Sequence, residues 1–175
     1  MKHLLVPSLL AVALTSASWV SHAASPAQWQ SMTAQLSVSM EAAIAQALRA
    51  APGQPIEVEL DDGDGQGARY EVDILTAAGE SVEVWVHGAS GQTQVHAHQG
   101  KAKRKDLERV QAAKIDMPTA IQAATTHTPG RAVKAELDSH WGTTTYQVDV
   151  LQPDYSVIEL KVDAANGTIL RAKKD

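Results

Sequence analysis

This chain says the same thing twice, and that constrains its fold more than any other feature. The stretch SMEAAIAQALRAAPGQPIEVELD begins at Ser39, and DMPTAIQAATTHTPGRAVKAELD begins at Asp116, an offset of 77. The offset holds through Met40/Met117, Ile44/Ile121, Ala47/Ala124, Pro52/Pro129, Gly53/Gly130, Glu59/Glu136 and Leu60/Leu137. Past the acidic stretch it becomes 76, and Tyr70/Tyr146, Val72/Val148, Asp73/Asp149, Leu75/Leu151, Glu83/Glu159, Val86/Val162 and Gly91/Gly167 match. The one-residue change places a loop between the two matched parts. Such a chain must build two similar units.

Each copy carries the same physical instructions. Ser39 and Asp116 are N-cap residues, whose side-chain oxygens serve orphan amides of a first helical turn. Ile44, Ala47 and Leu48 share one helical face, as do Ile121 and Ala124. Pro-Gly then ends each helix. Alternation follows: Ile56, Val58 and Leu60 against Glu57 and Glu59; Tyr70, Val72 and Ile74 against Glu71 and Asp73; Val82, Val84 and Val86 against Glu83, Trp85 and His87. Period two means strands with one buried face. Short polar loops make the sheet antiparallel. The expected fold class is α+β, two tandem repeats, each a helix packed on a small, three-stranded antiparallel sheet.

Residues 1–23 read as a secretory signal. Lys2 and His3 precede an apolar run from Leu4 to Trp19, about the length of a signal core, and Ser21-His22-Ala23 offers small residues for cleavage after Ala23. The divisions that follow are an N-terminal helical segment over 24–38, a first module over 39–99, a basic linker over 100–115, and a second module over 116–175. The helical segment starts at Ser25-Pro26 and places Trp29, Met32 and Leu36 on one face; the linker is helical from Asp106. The chain has no cysteine, hence no lipid attachment at a cut site and no disulfide. Loss of Lys2 with the signal takes the formal net charge from −5 to −6, which argues against non-specific nucleic-acid binding. The expected location is the periplasm or the exterior, with no membrane attachment after cleavage.

Four constellations invite chemistry. DDGDGQGARYEVD, Asp61 to Asp73, imitates a calcium loop, with Asp62, Asp64, Gly67 and Asp73 at positions 1, 3, 6 and 12. Position 5 is Gln66, Asp73 is short for the bidentate ligand, and Tyr70 to Ile74 reads as a strand where a helix should leave. The stretch is expected to be an acidic strand connection. His96 and His98 would share a face on a regular strand, with His87 nearby, and give a zinc- or copper-binding alternative, although structural zinc wants four ligands. No nucleophile elbow, zinc-protease helix or cysteine nucleophile is present, and the turn at Ser90 lacks the elbow pattern. No cofactor and no enzymatic activity are expected. Finally, Glu57, Glu59, Glu71, Asp73 and Glu83 should point away from the helix, beside Trp85. A Trp among carboxylates on an uncovered sheet face suits a protein or peptide partner.

Each copy resembles a PepSY domain, the module named for peptidase propeptides and a spore-germination protein. The resemblance rests on Ala43 to Ala47, Pro52-Gly53, Glu59-Leu60, Tyr70 to Asp73 and Gly91, and again on Ala120 to Ala124, Pro129-Gly130, Glu136-Leu137, Tyr146 to Asp149 and Gly167. The family's last strand runs V-D-x-x-x-G. Val162 to Gly167 keeps this, whereas the first copy puts His87 in place of the Asp. The resemblance implies inhibition or chaperoning of a peptidase by such modules. No peptidase domain is attached here, so the function expected is binding of a protein or peptide, with modulation of a periplasmic peptidase or sensor as its use.

Overall fold

The computed structural model describes residues 24–174. The expected signal segment lies outside the described residues. The elements are α1 (Pro26–Ala34), α2 (Met40–Ala50), β1 (Gly53–Asp61), β2 (Arg69–Thr76), β3 (Glu80–His87), β4 (Thr93–Lys101), α3 (Arg104–Ala112), α4 (Met117–His127), β5 (Arg131–His140), β6 (Thr143–Leu151), β7 (Val157–Asp163) and β8 (Ile169–Lys174). The mixed α+β class holds, but the two sheets are one. Eight strands form a single antiparallel sheet in the order β4-β3-β2-β1-β5-β6-β7-β8. Each copy supplies four strands rather than three.

The helices start where the caps dictate. The Ser39 hydroxyl accepts from the Ala42 N–H at 3.2 Å, and Asp116 accepts from the Thr119 N–H at 2.9 Å. Ser25 and Gln28 form a reciprocal capping box at α1. Helices α2 and α4 pack side by side on one sheet face, and repeat-matched residues meet in one core: Met40, Ala43, Ile44 and Ala47 from α2; Met117, Ala120, Ile121 and Ala124 from α4. Beneath them lie Val58, Leu60, Tyr70, Val72, Val84 and Val86, and their counterparts Ala135, Leu137, Tyr146, Val148, Leu160 and Val162.

Two tyrosines tie each helix approach to the sheet. The buried Tyr70 hydroxyl donates to the Val38 carbonyl at 2.9 Å, and Tyr146 donates to Ile115 at 2.9 Å. Burial lifts both phenols above the ordinary value, Tyr146 to about 12. Ile56 does not continue the alternation of its strand. It is the extra residue of a β-bulge between Pro55 and Glu57, and the second copy repeats the bulge at Val133.

The copies meet through β1 and β5, where Glu57 opposes Glu136, Val58 opposes Ala135 and Glu59 opposes Lys134. Helix α3 begins at Arg104, two residues ahead of its expected start, while Gly100 and Lys101 of the supposed linker belong to β4. It touches β5 and β1. Arg109 donates to Asp106 at 3.1 Å and to Ser139 at 3.3 Å, and it pairs with Asp138. Asp138 alternates with the core residue Leu137, so α3 lies on the face opposite α2 and α4.

Candidate functional site: the sheet face opposite the paired helices

Registers across the sheet arrange the outward side chains in two rows. One row runs Glu83, Asp73, Glu57, Glu136, Gln147, Lys161. The other runs Trp85, Glu71, Glu59, Lys134, Asp149, Glu159. Thus four carboxylates stand on four neighbouring strands in the first row, and like charges directly opposite each other cost stability.

Local cations answer part of this charge. Lys134 sets its ammonium 2.8 Å from Glu57 and 3.2 Å from Glu59. Burial pulls the lysine down, but the two glutamates outweigh it and hold its pKa above the ordinary value. Arg69 lies 3.1 Å from Asp61 and 2.6 Å from Glu71. The Gln99 amide donates to Asp73 at 3.3 Å and to Glu83 at 3.2 Å. Asp73 is still pushed up to about 6, by burial and then by Glu57 and Glu83. Burial likewise raises Glu71, and burial with Glu57 raises Glu136.

The structure places Trp85 where alternation put it, half-buried, with its indole N–H donating to Glu83 at 2.7 Å. From the β2 side, the Arg69 guanidinium sits over the indole, 3.9 Å from the ring centroid. From the β4 side, His96 stacks on it with centroids 3.5 Å apart and planes 12° apart. Both flanking groups come from its own unit. Its orientation is fixed before any partner arrives. A cavity of about 440 Å³ opens beside it, lined by Arg69, Trp85, His87 and Gln94.

The three histidines do not meet as a ligand set. Glu83 opposes Ala97 while Val84 opposes Val95, so His96 is the extra residue of a bulge and turns outward onto Trp85. His98 opposes the core-facing Val82. The bulge therefore sends the two imidazoles to opposite faces, and the shared face that a regular strand would give is lost. His87 binds within its own turn, its Nδ1 accepting the Ser90 N–H at 3.3 Å. In the second copy Asp163 does this work, accepting the Ala165 N–H at 2.7 Å. His87 thus replaces the family's Asp by another route. Among the described residues no three His, Cys, Asp or Glu side chains converge as metal ligands.

The acidic stretch is a strand connection. Asp61 accepts the Gly63 N–H at 2.8 Å, Asp62 accepts the Asp64 N–H at 3.0 Å, and residues 63–65 make one 3₁₀ turn. Asp73 stands on β2, away from this turn. The Ser90 hydroxyl lies 3.1 Å from His87 Nδ1, but that nitrogen already accepts the Ser90 backbone, so the contact belongs to the turn.

Sequence reasoning missed Arg69 and Trp141. Arg69 is an outward cation paired with Asp61 of β1 and with Glu71 of its own strand. Trp141 is 93% exposed at the tip of the β5–β6 hairpin, with φ 51°. It was legible only as a Trp beside a Gly.

The family model for the peptidase propeptide and YPEB domain, PepSY, matches residues 37–94 and again 114–173. A comparison with curated proteins finds no match. A solved structure from Clostridium difficile 630, described as a "putative lipoprotein", aligns over 80% of this chain and 95% of that one, at 15% identity and a TM-score of 0.45. Two matches, together spanning more than half of the residues and falling on the two halves of one sheet, establish that this chain belongs to the PepSY family and carries the domain twice in tandem.

Proposed function

We propose that this protein is an exported, non-catalytic binding module that holds a protein or peptide segment on the sheet face opposite α2 and α4. The use we assign to that binding is modulation of a periplasmic peptidase or sensor. Trp85, Glu57, Glu59, Glu71, Asp73 and Glu83 form the contact surface in the first unit. One observation carries the reading. The face keeps a line of carboxylates that oppose one another across four strands, with Asp73 lifted to about 6, beside an indole already fixed by Arg69 and His96. Stability alone would favour removing such charges. Fixed aromatic anchors bordered by polar groups are what interfaces use for affinity. Among the described residues no helix is long and apolar enough to cross a membrane.

The test is capture from a periplasmic extract by the chain lacking residues 1–23, wild type beside Trp85→Ala. The reading expects a peptidase or sensor ectodomain held by wild type and lost by the variant, with both proteins folded by circular dichroism. Equal capture by the two would remove Trp85 and this face from the account.

A further inference from the structure

Helices α1 and α3 are a further matched pair of the repeat. Their trailing ends make the same contact. The Ser37 and Val38 N–H groups donate to the Gly88 carbonyl at 3.0 and 3.1 Å, and those of Lys114 and Ile115 donate to the Ala164 carbonyl at 2.8 and 3.1 Å. Set back by the offset of 77, Arg109 falls on Met32, Asp106 on Trp29 and Asp138 on Asp61. The ion pairs that clamp α3 onto the sheet therefore have no counterpart in α1. Asp61 goes to Arg69 instead, and Met32 is the one fully buried residue of the helix. The leading end of α1 needs another tie.

That end stands in a hollow of about 580 Å³ between α1 and the sheet. Ala24 lines the hollow, is half-buried and packs against the core. The capping box fixes it there: the Ser25 N–H donates to Gln28 Oε1 at 2.9 Å, and the Gln28 N–H donates to Ser25 Oγ at 3.3 Å. Around it stand Glu59, Asp61, Asp62, Glu136 and Asp149, and among the described residues Lys134 is the one cation of the lining. These carboxylates are partly engaged already: Asp61 pairs with Arg69, Glu59 pairs with Lys134, and Asp149 has an interaction of its own. The summed charge of the lining is negative all the same. A positive charge placed there is favoured by that sum, and no carboxylate has to be unpaired for it.

We propose that signal cleavage after Ala23 makes the tie: the new α-ammonium of Ala24 takes its place among the carboxylates of the hollow and pins α1 to the sheet. Hydrolysis adds water across the 23–24 peptide bond and leaves a carboxylate on Ala23 and an ammonium on Ala24; the catalyst is a signal peptidase of the exporting cell. An uncharged amide thereby becomes a cation at a point that the fold surrounds with acids. Processing then does more than release the chain, since α1 is fastened over the sheet face in the cut form and lacks this tie in the uncut one. The inference rests on the expected cleavage site and is independent of what the face binds. Local helix physics opposes it: an ammonium just ahead of an N-cap faces the positive end of the helix dipole, so on an isolated helix acetylation of that amine is stabilising. In this protein the carboxylates reverse the sign.

The experiment compares the chain of residues 24–175 carrying a free amine with the same chain acetylated at Ala24, by urea unfolding and hydrogen exchange. At pH 7 and low salt, acetylation should raise the unfolding equilibrium constant at least about fivefold, and the protection lost should lie in α1. The ammonium stabilises fully below about pH 8, where a free α-amine is charged, and its contribution is lost as the pH rises through the folded-state value. The two proteins should therefore converge by about pH 10. Acetylation that stabilises the protein, or that leaves the protection of α1 unchanged, overturns the proposal. A loss of the same size at about pH 10 assigns the effect to the bulk of the acetyl group and overturns the role of the charge. An exported protein whose first residue by mass spectrometry is not Ala24 overturns it too.

Discussion

At the scale of single residues, the repeat is a record of contacts that both units need. Gly53 and Gly130 follow the prolines that end α2 and α4. Their second role is close approach: a Cβ at Gly53 would lie 2.3 Å from the Leu75 carbonyl oxygen, and one at Gly130 would lie 2.6 Å from that of Leu151. Tyr70 and Tyr146 are likewise a matched pair, each giving its hydroxyl proton to the loop before a helix. Tyr70→Phe leaves the Val38 carbonyl without its partner and should cost about 1–2 kcal/mol; Tyr146→Phe should cost about the same, read from urea unfolding of each variant. A large cost for one and none for the other would contradict their equivalence. Trp141 breaks the pattern of local comfort. Both residues of its two-residue hairpin loop have positive φ, 51° at Trp141 and 82° at Gly142, where Asn-Gly is the favoured pair. Trp141→Asn should raise stability by about 0.5–1 kcal/mol, measured by thermal unfolding.

At the scale of elements, α2, α4 and the first three strands of each copy were legible because their buried faces alternate or recur at helical spacing. Two strands were not. Every residue of β4 except Ala97 is exposed, and β8 is Ile169 followed by exposed residues, so neither has an apolar face to announce it. Edge strands bury little, and these two are blunted against further pairing, β4 by two bulges and β8 by Arg171, Lys173 and Lys174. The bulge at His96 also explains why the histidines misled: their spacing is right, but the backbone between them is not a regular strand. The outward carboxylates and Trp85 were legible from period two, whereas the hollow beneath α1 was not, since it joins residues from five separate segments: α1, β1, β5, β6 and the turn into β7. Helix α3 had basic residues in the sequence without a stated anchor, and the structure supplies one. Arg109, with 12% of its side chain exposed, joins Asp106 of α3 to Asp138 of β5. Arg109→Met should leave both carboxylates without their cation and cost about 1–3 kcal/mol, checked by urea unfolding, with α3 the first element to lose amide protection in hydrogen exchange.

At the scale of the whole molecule, antiparallel pairing of β1 with β5 turns two small sheets into one and gives a continuous outward surface. No repeat can reveal this, because each copy specifies its own strands and is silent about which edge meets the other. The surface should make stability depend on pH. Asp73 has an ordinary carboxyl pKa near 3.8 and is raised to about 6 in the fold, so the folded protein favours its protonated form. The resulting penalty is absent below 3.8, grows as the pH rises from there to 6, and is fully present above 6. The raised Glu71 and Glu136 act in the same direction. Asp73→Asn should therefore stabilise the protein at pH 8 by about 1 kcal/mol, allowing for solvent screening of a half-buried group, and the gain should vanish near pH 4; urea unfolding at the two pH values measures it. A gain independent of pH would point to packing rather than charge.

The central claim is that binding takes place on the face opposite α2 and α4. Its most direct test is a photo-crosslinking amino acid placed, one position at a time, at Gln94 and Gln147 on that face and at the exposed helix positions Ala45 and Gln122 on the other, in cells exporting the protein. The account predicts covalent adducts from the sheet positions and none from the helix positions. Adducts from Ala45 or Gln122, with none from Gln94 and Gln147, would contradict it.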